Sequence, residues 1–284
     1  MKENRASVTA QRVALRRAAH QFLDDPRVFD DPVALRILGK ESASALQADP
    51  RRYEVTPLAP YLRAFVAARS RYAEDELALG VQRGVGQYVI LGAGLDTFAY
   101  RNPYPKGALH VFEVDHPATQ TWKRARLEEI GITLPVDLTF APVDFETQTL
   151  LEGLKGAGYD PGGCTFFSWL GVTEYLSTEA VMATLRFIGS APVGSGGVFD
   201  YMISPSLLSP AQRSRFDALE QRVASAGEPW RAFFDPGLLS RDLQAMGFGH
   251  VEDQGPEEIN ARYFKNRKDG LRVGSLSHLM IARV

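Results

Sequence analysis

A chain of 284 residues that is 45% hydrophobic can bury one large core, and a net charge of −2 gives no general attraction to nucleic acid or an anionic membrane. The single cysteine, Cys164, excludes an internal disulfide and a cysteine-based metal site. No apolar run approaches the roughly eighteen residues of a membrane span, and the polar opening Met1-Lys2-Glu3-Asn4-Arg5 has no signal-peptide core; a cytoplasmic protein is expected.

In chain order, Ser7 to Phe22 has helical spacing, with Ser7 placed as N-cap. Phe29-Asp30-Asp31-Pro32 reads as a turn, with Pro32 opening a helix that runs to Leu38 and stops at Gly39. A polar stretch follows around Ala48 to Arg52, then a helix from about Pro60 to Leu79 that holds Arg63, Arg69 and Arg71. From Gln87 the pattern alternates strand and helix, which predicts a mostly parallel sheet covered on both faces. The strands fall near 87–91, 108–115, 138–143, 164–169 and 197–203. A helix opens at Pro117 and stops at Gly131, and its run Lys123-Arg124-Ala125-Arg126 reads as a solvated face. Ser177-Thr178-Glu179 starts another helix. Ser204 to Gly247 is helical in pieces punctuated by Pro205, Pro210, Pro229 and Pro236, an insertion placed over the carboxyl edge of the sheet. Strands near 248–254 and 277–284 finish the sheet, with Arg262, Lys265, Arg267 and Lys268 on a hairpin-like loop between them.

The chemistry concentrates at Gln87 to Thr97. A strand ends on Gly92-Ala93-Gly94, where bare backbone can approach a ligand, and the next strand ends on Glu113-Val114-Asp115. A glycine turn after one strand and an acid after the next is how a doubly wound sheet holds a nucleoside-type cofactor. The dinucleotide fingerprint wants a third small residue; Thr97 stands there, and Asp96 before it would repel a pyrophosphate. Asp96 suits an ammonium group, and Asp115 suits ribose hydroxyls. Both belong to S-adenosylmethionine.

With these residues assembled, the chain resembles the leucine carboxyl methyltransferase-type family of S-adenosylmethionine-dependent methyltransferases. The resemblance rests on Val89 to Thr97 with Tyr100-Arg101, on Phe112-Glu113-Val114-Asp115-His116-Pro117, on Pro142-Val143-Asp144-Phe145 and on Asp30-Asp31-Pro32. It implies an α/β fold: a class I methyltransferase, Rossmann-like sheet of seven strands, mostly parallel with the last antiparallel. One domain would span 1–284, with a helical extension over 1–84 and a lid insertion at about 204–247 in the core of 85–284. It implies that Arg69 binds the cofactor carboxylate, Gly92 and Gly94 approach its methionine moiety, and Asp115 holds the ribose, with Glu113 assisting. Asp144 and Phe145 would bracket the adenine. One departure stands out: the family commonly carries a glutamate before the glycine that follows the fourth strand, where this chain has Leu170, with Glu174 four residues on.

The expected activity is methyl transfer to the oxygen of a carboxylate or hydroxyl in a small molecule or peptide. A carboxylate acceptor needs no base at neutral pH, whereas a hydroxyl does. Tyr201 and His20 are candidates for that base, and Arg17 for an acceptor carboxylate. A nicotinamide-dependent oxidoreductase and a non-catalytic S-adenosylmethionine-binding protein remain open.

Overall fold

The computed structural model describes residues 7–144, 148–225 and 229–284. Helix α1 spans Val8–Leu23, and the Ser7 hydroxyl accepts from the Ala10 amide at 3.1 Å, as its N-cap position predicts. The segment after Pro32 forms turns and one 3₁₀ turn, Arg36–Leu38, in place of the expected helix. Helix α2, Lys40–Ala48, was not expected; only Leu46 in it is buried, too little to mark an apolar face. Helix α3 covers Ala59–Gln82 and buries residues all along its length, including Arg63 and Arg69.

Seven strands follow: β1 Gln87–Leu91, β2 His110–Asp115, β3 Leu138–Pro142, β4 Thr165–Trp169, β5 Gly196–Met202, β6 His250–Gln254 and β7 Ser277–Arg283. They form one sheet in the order β3-β2-β1-β4-β5-β7-β6. All neighbours are parallel except β7, which runs antiparallel to both β5 and β6. The intervening helices are α4 Pro117–Glu129, α5 Leu150–Gly156, α6 Thr178–Gly189, α7 Pro210–Ser225, α8 Pro236–Ala245 and α9 Pro256–Tyr263. Helix α5 was not foreseen, although Thr149 and Glu152 make a full capping box. Helix α9 replaces part of the expected loop: its glutamates sit in the first turn and Arg262 in the last, the arrangement the helix dipole favours.

Strand alternation sends Tyr88, Ile90, Val111, Phe166 and Val198 to one face, against Ala64, Ala68 and Tyr72 of α3. Val89, Leu91, Phe112, Phe167 and Tyr201 go to the other, against α5, α6 and α8. A third cluster joins Ala14 and Ala18 of α1 to Ile37, Leu38 and Leu46, and reaches the sheet domain through Leu95 and Leu127. The N-terminal helices are therefore docked by apolar burial as a cap on the glycine turn. Among the described residues no helix is long and apolar enough to cross a membrane.

Candidate active site

Strand order reverses between β1 and β4, and the crevice outside their carboxyl ends is where open α/β sheets bind ligands. On the β1 side, Gly92 and Gly94 have φ of +67° and +47°, a region L side chains avoid. A Cβ on Gly92 would fall inside the Val172 side chain, and one on Gly94 would lie 2.9 Å from Ala10 Cβ of α1. The Gly94 amide donates to Asp115 Oδ2 at 2.6 Å and the His116 amide to Asp115 Oδ1 at 2.7 Å. Burial raises the Asp115 pKa, and these two amides and the Lys123 charge act against it. Asp115 thus ties the end of β2 to the glycine turn, with its carboxylate at the crevice. Asp96 accepts from the Phe98 amide at 2.8 Å, an Asx turn that leads the chain away from the glycines.

Glu113 does not line the crevice. Its side chain is fully buried beneath Asp115, 2.6 Å from Lys123 Nζ, and Tyr100 Oη donates to it at 3.2 Å. Burial pushes its pKa up to about 7 against the pull of Lys123. Lys123 itself is 1% exposed, so the run 123–126 is not wholly a solvated face. Asp144 follows β3, where its carbonyl accepts from the Gln148 amide at 3.0 Å. Phe145 lies outside the described residues.

On the β4 side, Arg69 Nη1 donates to Asp200 Oδ2 at 2.5 Å, and the Gly171 amide donates to Asp200 Oδ1 at 2.6 Å. Gly171 has φ of +74°, and a Cβ there would meet Arg69 Nη2 at 2.5 Å, so the guanidinium lies flat against bare backbone. Glu174 stands in the 3₁₀ turn Thr173–Tyr175 beside this pair. Burial and the Asp200 charge push its pKa up to about 8, against the pull of Arg69. Arg16 of α1 lies near Arg69; burial and the charges of Arg69 and Arg12 lower its pKa. Leu170 packs against the core on the α3 side.

Arg17, expected to meet an acceptor carboxylate, is 4% exposed and turned the other way. It pairs with Asp31 Oδ2 at 2.9 Å and donates to the Leu95 carbonyl at 2.5 Å. Asp31 also accepts from Thr97 Oγ1 at 2.6 Å and the Val33 amide at 3.0 Å. Asp31 and Thr97 thus tie the N-terminal cap to the glycine turn. His20 Nε2 accepts from the Val28 and Phe29 amides at 3.0 and 3.2 Å, so that nitrogen is committed to backbone. Tyr201, 1% exposed, points to the sheet face opposite Asp200 and donates to Asp253 Oδ1 at 2.7 Å. Burial and the Asp253 charge raise its pKa, which disqualifies it as a base there.

The insertion meets the crevice on the β4 side. The Arg231 amide donates to the Glu174 carbonyl at 2.7 Å, and Phe234 pairs with Met202 and Ser204 through backbone hydrogen bonds. Trp230 and Phe233 pack on Phe216 of α7, with ring centroids 5.7 and 5.5 Å apart. These aromatic contacts close the insertion on itself.

These residues fit S-adenosylmethionine: glycines whose Cβ would collide, a carboxylate at the end of β2 for a diol, and a guanidinium across the crevice for a carboxylate. Sequence reasoning missed Asp200, Arg16 and Lys123. The available signal for Asp200 was a charge inside the apolar run Gly197-Val198-Phe199-Asp200-Tyr201.

Comparisons with known proteins agree. The family model described as leucine carboxyl methyltransferase matches residues 10–189. A Bacillus subtilis (strain 168) protein described as a candidate S-adenosyl-L-methionine-dependent methyltransferase, YktD, is 33% identical, with 99% of each chain covered. A Mycolicibacterium smegmatis protein given the same description is 35% identical over 79% of this chain and 74% of its own. A crystal structure of a candidate methyltransferase from Thermobifida fusca superposes with a TM-score of 0.57 at 17% identity, over 99% of this chain and 96% of the other. A DUF574 family protein from Streptomyces avermitilis also gives 0.57, at 14% identity and 96% coverage of each chain. The nicotinamide and non-catalytic readings fall away: the chain belongs to the leucine carboxyl methyltransferase family and is an S-adenosylmethionine-dependent methyltransferase.

Proposed function

We propose that the chain is an O-methyltransferase whose acceptor is a carboxylate or hydroxyl of a small molecule or peptide. The observation that carries this reading is the wall at the carboxyl ends of β4 and β5, where Arg69, Asp200 and Glu174 converge beside the glycine turn. Such a wall can orient an oxygen nucleophile through charge and hydrogen bonds. The family name supports the same class. The bound cofactor supplies a methyl group on a sulfonium, whose departure leaves the bonding pair on sulfur.

In this reading Asp115 holds the ribose, Gly92 and Gly94 admit the methionine moiety, Asp96 meets its ammonium group, and Arg69 uses the donors that Asp200 leaves for its carboxylate. Asp144 with Phe145 takes the adenine. The helical N-terminal extension over residues 7–84 and the described parts of the insertion at 204–247 form the acceptor walls of one methyltransferase unit, which exclude water as the acceptor is aligned. The test is transfer of radiolabelled methyl to a small-molecule and peptide extract, followed by base treatment. Methyl esters release labelled methanol and methyl ethers keep the label; label only in N-methyl or C-methyl products refutes O-methylation.

A further inference from the structure

Arg69 is a buried arginine with donors left over. Its side chain is 7% exposed, Nη1 donates to Asp200 Oδ2 at 2.5 Å, and among the described residues Nε and Nη2 meet no acceptor. Buried donors are normally met, because leaving one unmet costs free energy. The open donors therefore point to an anion that this site is built to receive. Two consecutive residues carry the guanidinium to the crevice. A Cβ on Gly171 would lie 2.5 Å from Arg69 Nη2 and 3.1 Å from Cζ, and the side chain of Val172 fills the space that a Cβ on Gly92 would take. Successive Cα atoms are about 3.8 Å apart, so the guanidinium and the glycine turn flank one short stretch of backbone.

Asp200 and Gly171 fix which donors stay open. One oxygen of Asp200 accepts from Arg69 and the other from the Gly171 amide at 2.6 Å, so a single carboxylate fastens the guanidinium to the backbone it lies against. Thr173 Oγ1 donates to the Asp200 carbonyl at 2.6 Å and ties the turn after β4 to β5. Gly171, with φ of +74° and no side chain, lets the guanidinium lie flat on it. Phe65, one turn earlier on α3, has its ring centroid 5.9 Å from Arg69 Cζ. An arginine held at Nη1 and on one face keeps its Nε–Nη2 edge free, a fork that matches the two oxygens of a carboxylate. We propose that Asp200 and Gly171 are positioning residues, which hold this fork of Arg69 open for the carboxylate of the cofactor's methionine moiety. The proposal rests on the assignment of Arg69 to that carboxylate above. Charge alone gives the opposite sign. If Asp200 acted only as an anion near the cofactor carboxylate, its neutralisation would tighten cofactor binding. If it orients Arg69, its loss loosens binding, because the fork is no longer organised in advance.

Two ligands separate orientation from folding: S-adenosylhomocysteine and its decarboxylated analogue, which keeps the adenosyl group and the amine and lacks only the carboxylate. Calorimetry on the full chain should show a preference for S-adenosylhomocysteine on the order of tenfold or more, and Arg69→Ala should erase it. Asp200→Asn leaves one acceptor oxygen where two bonds are made, and Gly171→Ala puts a methyl where Nη2 lies. Each should cut the preference to within about threefold, while the decarboxylated analogue binds within about threefold of its affinity for the unmodified protein. Added to Arg69→Ala, neither substitution should change the preference further, since nothing remains to be positioned. A preference kept or increased in Asp200→Asn and Gly171→Ala, while Arg69→Ala erases it, overturns the positioning role and leaves the assignment of Arg69 standing. No preference in the unmodified protein, or one that survives Arg69→Ala, refutes that assignment and the proposal with it. Equal loss of both ligands in the two variants also overturns the proposal, because the two residues then hold the fold and not the fork.

Discussion

Gly94→Ala tests whether α1 rests on the glycine turn. An alanine would have to hold φ near +47°, and its Cβ would lie 2.9 Å from Ala10 Cβ. The backbone cost is about 1–2 kcal/mol, and forcing a methyl into a filled contact adds about 1–3 kcal/mol. The expected destabilisation is therefore about 2–5 kcal/mol. Ala10→Gly removes the opposing methyl and by itself costs at most about 1 kcal/mol of helix propensity. The double variant should recover the overpacking share, a coupling of about 1–2 kcal/mol, and leave the backbone strain. Urea denaturation of the four proteins measures the cycle, and S-adenosylhomocysteine affinity in the same set reports whether α1 displacement reaches the cofactor. Additivity within about 0.5 kcal/mol would mean that α1 does not contact the turn, and the cap over the crevice would have to be abandoned.

Asp115→Ala should weaken S-adenosylhomocysteine binding by about 1.5–3 kcal/mol, the scale of hydrogen bonds to a charged group; unchanged affinity in a folded variant, read by calorimetry, removes Asp115 from the site. Asp31→Ala should cost about 3–5 kcal/mol in denaturant unfolding, because it strands the buried Arg17 guanidinium and leaves Thr97 without its acceptor. A loss below about 1 kcal/mol would show that the cap is held by apolar contacts alone. Tyr201→Phe should lower stability by about 1 kcal/mol through the lost bond to Asp253 and leave cofactor affinity and its pH dependence unchanged. A change in either would put Tyr201 back at the crevice.

Signals confined to a few neighbouring residues were legible in the sequence alone. Ser7, Ser177 and Pro117 announced helix starts because a cap or a proline acts within one turn. The glycine turn and Asp115 were legible because their spacing follows from one strand–turn–strand unit. Which side chain faces what was decided by tertiary packing. Adjacent positions on a helix point about 100° apart, so Arg17 went to Asp31 while Arg16 went towards Arg69. Adjacent positions on a strand point to opposite faces, so Tyr201 left the crevice and Asp200 entered it. Lys123 sits in a basic run that reads as surface, and the buried carboxylate of Glu113, brought against it by the β2–α4 packing, together with the Tyr100 ring holds it inside. Glu174 and Asp200 are distant in the chain, and the pairing of β4 with β5 makes them neighbours. Burial beside the ends of those strands raises the Glu174 pKa, an effect that exists only in the folded chain.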